Sequence, residues 1–275
     1  MFFGKTTRPV FILGCQRSGT TICQNVFLKS ADCDVYREGN KKAMTDEWRL
    51  RDTATIRRLI RKSRKRVALF KPLNDAQWAR RFLDGYEHAR IVWIYRDPGD
   101  TANSAIAKWD SVQADIINTV GKALAQAGDA AGAARLLADR PGYAMYAEGI
   151  PAGAVERVIG WSREGLDAPS GAGALWWLRN QFYQSLDLNR DARVLLVKYE
   201  PFVTEPSAAV RRICAHMGIG YDDRLVADVH SGSVGRRPPP SMSASVAAAC
   251  EELFASLDAD WNGSLESGGG EAVAR

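Results

Sequence analysis

The chain reads as an α/β protein: a three-layer α/β/α arrangement in which helices cover a central parallel sheet, with a helical insertion. Two observations predict this. Short runs at residues 10–13, 67–70, 91–95 and 193–197, apolar throughout but for Arg193, have the length and composition of strands buried on both faces. They alternate with longer segments of helical spacing, which makes the strands parallel. In addition, the first run passes through Gly14-x4-Gly19 into a helical pattern with Ile22, Val26 and Phe27 on one side, a turn that offers N–H groups to an anion.

At 275 residues, 46% of them hydrophobic, the chain can bury a full core as a single domain over residues 1–275. A net charge of +5 suits an acidic ligand or a polyanionic substrate and does not by itself call for nucleic acid. The five cysteines contain no C-x-x-C pair, which argues against a disulfide framework or a zinc site and for a reducing, cytoplasmic setting. Residues 1–8 hold no apolar core of signal-peptide length, and no apolar run reaches membrane-spanning length, so no transmembrane segment is expected. Nothing in the sequence speaks to oligomeric state.

Gly14-x4-Gly19 has the spacing of a nucleotide-binding P-loop, so the expected architecture is P-loop-like, but Thr20 stands where such a loop carries its Lys, followed by Thr21. Without the charge that reaches the β- and γ-phosphates, ATP or GTP hydrolysis is disfavoured, while a single 5′-phosphate still fits. Arg17 sits inside the loop instead. Residues 32–40 should return beside this loop and bring Glu38 with them. Residues 41–66 read as helical and end in a dense basic stretch from Arg57 to Arg66, expected as a solvated helix face, with polyanion binding as the alternative.

The run at 67–70 leads into Lys71-Pro72, and a helical pattern at 77–83 leads into the run at 91–95. That strand ends at Arg96, at the carboxyl end where ligands of open α/β sheets bind. Pro98 and Gly99 then turn the chain, and Asp100 is expected to cap the next helix. Residues 110–175 are rich in Ala and Gly and read as a helical cap inserted for acceptor recognition. The helix expected at 175–188 carries Trp176, Trp177, Phe182 and Tyr183 as packing residues. After the run at 193–197 comes Lys198-Tyr199, then helices at 206–217 and 245–257, separated by a loop that Pro238, Pro239 and Pro240 keep out of a central strand. The Gly- and Ser-rich tail, 262–275, is expected to fray.

Four segments, taken in order, resemble the sulfotransferases that use 3′-phosphoadenosine 5′-phosphosulfate (PAPS), in particular the bacterial carbohydrate and tyrosylprotein types. They are Arg-Ser-Gly-Thr-Thr at residues 17–21, Arg96 with Ser104 eight residues on, Lys198-Tyr199-Glu200-Pro201, and Ser233-Val234-Gly235-Arg236. The resemblance implies that Arg17, Ser18, Gly19, Thr20 and Thr21 hold the 5′-phosphosulfate, that Arg96 and Ser104 grip the 3′-phosphate, that Tyr199 lies near the adenine, and that Ser233 and Arg236 fold over the nucleotide. It further implies PAPS as cofactor, adenosine 3′,5′-bisphosphate as product and no metal requirement.

Cytosolic members place a His before the Pro after the second core strand, where this chain has Phe70-Lys71-Pro72. The types with a Glu after the first helix point instead to Glu38 as the base, with Lys71 orienting the transferring group and Arg17 stabilising the leaving oxygen. Of the three histidines, His230 is the one expected to reach the site. The acceptor stays open: a carbohydrate, an anionic molecule, a lipid-linked or small-molecule hydroxyl or a peptide Tyr would each suit. The rival readings are a P-loop kinase with a displaced Lys, and a basic polyanion-binding protein using residues 57–66.

Overall fold

A computed structural model of the chain describes residues 6–268. The elements in order are β1 (Arg8–Gly14), α1 (Thr20–Val26), β2 (Cys33–Tyr36), α2 (Thr53–Lys62), β3 (Val67–Phe70), α3 (Ala79–Gly85), β4 (Arg90–Tyr95) and α4 (Pro98–Trp109). There follow α5 (Val112–Ala127), α6 (Ala130–Leu136), α7 (Pro141–Ala147), α8 (Ala152–Glu164), α9 (Ala168–Ser185), β5 (Val194–Lys198), α10 (Tyr199–Thr204), α11 (Pro206–Met217) and α12 (Ala244–Gly268).

The strands form one sheet in the order β2-β3-β1-β4-β5, and every pairing is parallel, with Arg8 opposite Val67, Val10 opposite Arg90, and Ile91 opposite Val194. Because side chains alternate along a strand, each buried strand feeds two cores. Phe11, Leu13, Phe70, Ile91, Trp93 and Tyr95 pack with the helices of one face, among them α5, α8 and α9. Val10, Ile12, Leu69, Val92 and Ile94 meet α1, α10 and α11 on the other. This is the three-layer α/β/α arrangement the apolar runs predict. Residues 110–175 fold into α5 to α8 and the start of α9, and their apolar faces belong to the larger core.

Three local expectations are corrected. Residues 41–52 form turns closed by a bridge between Met44 and Leu50, and the helix is confined to α2. Asp75, from the loop after β3, takes the Leu50 N–H at 2.6 Å and Arg49 at 2.8 Å, so a partner far along the chain outbids local helix formation. Asp52 then caps α2 by accepting the Thr55 N–H. At the second place, Asp97 caps α4 by accepting the Asp100 N–H at 2.8 Å, with Pro98 in the first turn. Asp100, read as the cap, points instead at Arg96. Thirdly, the tail is helical as far as Gly268; residues 269–275, where fraying was also expected, lie outside the described residues. No helix among the described residues is long and apolar enough to cross a membrane.

The five cysteines are free and buried; burial pushes the Cys15, Cys33 and Cys250 thiols up to about 12, which leaves them protonated and inert. His216, on α11, donates through Nε2 to the Ile91 carbonyl at 3.0 Å. Burial first, then the neighbouring Arg90, holds its imidazole down at about 4 against an ordinary 6.5. Between those values the unfolded chain binds a proton that the folded chain refuses, so this contribution to stability is complete above pH 6.5 and fades as pH falls toward 4. Urea unfolding followed across that range should show an acid-side loss on the order of 2–3 kcal/mol, and His216→Gln should remove it. An unchanged slope in the variant would assign the acid sensitivity elsewhere.

Candidate active site

A parallel sheet presents all its carboxyl ends on one side, and the candidate residues stand there strand by strand. Arg17 follows β1, Glu38 follows β2, Lys71 directly follows β3, Arg96 directly follows β4, and Tyr199 directly follows β5. Residues scattered over 180 positions of chain thus converge, because each is tied to the end of a strand whose register is set by core burial.

The loop between β1 and α1 needs its two glycines. Gly14 has φ 137°, and a Cβ there would lie 2.1 Å from the Ile94 carbonyl oxygen; Gly19 has φ 91°, and its Cβ would lie 2.2 Å from the Tyr199 ring. Arg17 between them also adopts a left-handed φ of 70°, which costs a non-glycine residue roughly 1–2 kcal/mol. Such strain persists only where the surroundings impose it and gathers at functional sites. Helix α1 starts without a side-chain cap and without an acidic residue in its first turn. Its first N–H groups therefore face the loop as free donors for an anion. Ser18 is fully buried, Thr20 nearly so, and Thr21 is exposed.

From this loop, Arg17 donates through Nε to Ser104 of α4 at 3.1 Å, and its guanidinium lies 5.7 Å from the centre of the Trp109 ring. Arg96, 5% exposed, donates to the Asp100 carboxylate at 3.0 Å and to the Ser233 carbonyl at 2.5 Å, and lies 4.6 Å over the Tyr199 ring. The Tyr199 hydroxyl shares a 2.6 Å hydrogen bond with Ser233. Arg96, Ser104, Ser233 and Arg236 line one cavity of about 220 Å³. Ser233 and Arg236 also line a second, of about 490 Å³, whose apolar side is Ile22, Val26 and Val229 and whose polar side includes Lys29 and His230.

The Tyr199 ring is 1% exposed, wedged between Gly19 and Arg96, so its contacts are with the loop and the guanidinium. Asp100, expected only as a helix cap, has a further role: its carboxylate holds both Arg96 and the Gly235 N–H and so ties the late loop to α4. The i, i+4 spacing of Arg96 and Asp100 was the available signal.

On the other side of Arg17, the Lys71 ammonium, 1% exposed, is ion-paired with Glu38 Oε2. Burial pushes the Lys71 ammonium below the usual lysine range, Glu38 pulls it back up, and nearby Arg17 adds to the lowering. Glu38 and Arg17 line a third cavity, of about 340 Å³, between the loops and α4–α5. The basic stretch is apart from this cluster: Arg58, Arg61, Lys62, Arg64 and Arg66 are exposed to solvent.

The arrangement is a set of fixed cations and N–H donors around two linked cavities, with a carboxylate aimed into a third. The family model for the sulfotransferase domain matches residues 7–233. Among solved structures, the sulfotransferase domain of the Synechococcus PCC 7002 olefin synthase is 16% identical, with a TM-score of 0.50 over 92% of this chain and 96% of that one. A sulfotransferase from Alicyclobacillus acidocaldarius is 18% identical, with a TM-score of 0.49 over 94% and 95%. No curated protein matches the chain. The first structure shares the fold; the family model covers every residue from β1 to Ser233, and the chain therefore belongs to the sulfotransferase-domain family.

Proposed function

We propose that the protein transfers a sulfuryl group from PAPS to an acceptor hydroxyl, with Glu38 as the base. The observation that carries this reading is the position of Arg17: it bonds Ser104 at the edge of one cavity and shares the lining of another with Glu38. The chain's own groups fit the nucleotide. Ser18 Oγ and Arg96 Nε are buried donors without partners, and the uncapped start of α1 adds N–H groups, all of which an anion would satisfy. Asp100 neutralises one side of Arg96 and leaves Nε available.

In this reading Arg96, Ser104 and Arg236 hold the 3′-phosphate, the loop at residues 17–21 holds the 5′ side, and the cavity walled by Ile22, Val26 and Val229 takes the adenosine. Tyr199 acts as a support that keeps Arg96 and Ser233 in place. When bound, PAPS supplies the sulfuryl group, with adenosine 3′,5′-bisphosphate as the leaving group. Arg17 and the loop N–H groups stabilise the charge that grows on the leaving oxygen. Lys71 pins Glu38 through Oε2, which leaves Oε1 to accept the acceptor's proton.

Calorimetric titration tests the nucleotide half. Adenosine 3′,5′-bisphosphate is expected to bind at least about a hundredfold more tightly than ATP with Mg²⁺, since each charge-assisted hydrogen bond to the 3′-phosphate is worth about 1.5–3 kcal/mol. Tighter binding of ATP would favour the kinase reading.

A further inference from the structure

We propose that the acceptor is an uncharged alcohol or phenol with an apolar body, held against Trp48 and Trp109 with its hydroxyl at Glu38. The assignment rests on the sulfuryl-transfer reading and names the substrate class of the same site. The cavity that Glu38 and Arg17 share, about 340 Å³, has room for on the order of ten non-hydrogen atoms at about 30 Å³ each. Its walls are largely apolar: Trp48 and Leu73 from the loops after β2 and β3, and Trp109, Val112 and Ile116 from α4 and α5.

Its uncharged polar neighbours are mostly committed to one another. Gln16 donates to Asn74 at 3.0 Å and to the Tyr146 hydroxyl at 3.2 Å, and Asn74 donates to the Glu47 carbonyl at 2.8 Å. Only Gln113 keeps an oxygen without a partner among them. A sugar, with hydroxyls on every face, would bury polar groups here without partners. A polyanion would need several cations. The cavity offers Lys108 besides Arg17, which bonds Ser104, and the basic stretch at 57–66 does not line it.

The apolar surface continues outward. Trp48 is 48% exposed and Val112 52%, among the few large hydrophobic side chains left to solvent, and both line this cavity. Clustering of exposed apolar groups at one opening marks a binding surface. Trp48 is moreover held in the left-handed region, at φ 57°, a conformation a bulky side chain rarely adopts. What holds the backbone there is a half-buried clamp: Asp75 takes the Leu50 N–H and Arg49, Arg49 pairs with Glu148 at 2.7 Å, and the Trp48 N–H donates to the Thr45 carbonyl at 3.2 Å. A strained backbone, held from several segments and carrying an exposed indole at a cavity mouth, is the kind of conformation that gathers at functional sites.

The test uses labelled PAPS with two acceptor panels. One holds hexanol, decanol and para-butylphenol; the other holds glucose, N-acetylglucosamine and a chondroitin disaccharide. The expected result is kcat/KM for the first panel at least about a hundredfold above the second, and a KM for para-butylphenol raised about tenfold by Trp48→Gly and largely restored in Trp48→Phe. Gly accepts the φ of this position, so the loss reports the indole and not the fold. The Kd for adenosine 3′,5′-bisphosphate should not move in either variant. Preference for the saccharides, or a KM unmoved in Trp48→Gly, overturns this assignment while the transfer reading stands. An enzyme that binds the nucleotide yet sulfates no member of either panel also overturns it, and one that binds no nucleotide removes the transfer reading and this inference together.

Discussion

Glu38→Gln is expected to lower kcat by roughly a hundredfold to ten-thousandfold, the span usual for a lost general base, and to leave the Kd for adenosine 3′,5′-bisphosphate within about twofold. The amide keeps the size of the side chain and can still accept from Lys71, so the nucleotide cavities on the far side of Arg17 are undisturbed. What it loses is the charge that makes Oε1 a proton acceptor. Because Lys71 is 1% exposed, the substitution also strips a buried ammonium of its counter-ion. Burial already pushes that ammonium downward, and without Glu38 it should shed its proton more readily. Thermal unfolding of the variant controls for this, and Lys71→Met combined with Glu38→Gln separates loss of the base from a stranded charge. Retention of full turnover in Glu38→Gln would remove this carboxylate from the mechanism.

The second large effect concerns Arg96. Arg96→Ala should weaken adenosine 3′,5′-bisphosphate by about tenfold to a hundredfold, the worth of one or two hydrogen bonds to a charged group. Adenosine 5′-monophosphate, which lacks the 3′-phosphate, should weaken by no more than about threefold. The guanidinium also anchors the Ser233 carbonyl and offsets Asp100, so its removal leaves a carboxylate unpaired beside the cavity. Arg96→Lys distinguishes these effects: it keeps the charge opposite Asp100 but loses the fork that binds in two directions. Equal losses for the two nucleotides in Arg96→Ala would refute a 3′-phosphate role and leave Arg96 as a strap for the late loop.

Both predictions concern residues that could be named before any coordinates, and the reason is physical. Lys71 and Arg96 directly follow apolar runs, Tyr199 stands one residue past another, and Arg17 and Glu38 follow strands within a few residues. Once a buried run is recognised as a strand of a parallel sheet, the position just past it lies at the ligand-binding edge. The stretch at 41–52 shows the opposite case. Its composition suits a helix, yet Asp75, some 25 residues away, captures Leu50 and Arg49 and holds the chain in turns. Trp48 was overlooked for the same reason: its strained φ and its place at a cavity depend on that clamp. The capping of α4 by Asp97 in place of Asp100 is subtler. Either could have capped α4; Arg96, buried and in need of a counter-charge, drew Asp100 to itself.

From the sequence alone came the alternation of apolar strands and helices, the glycine-framed loop without its Lys, and the charged residues at the strand ends. These depend on burial and backbone conformation, which neighbouring residues largely dictate. Only the tertiary structure decided that Lys71 locks Glu38, that Tyr199 lies beneath Arg96 and not open to solvent, and that Trp48 and Val112 from distant segments share one cavity. Such contacts join residues tens of positions apart, and they exist only once sheet order and helix packing have brought those positions together.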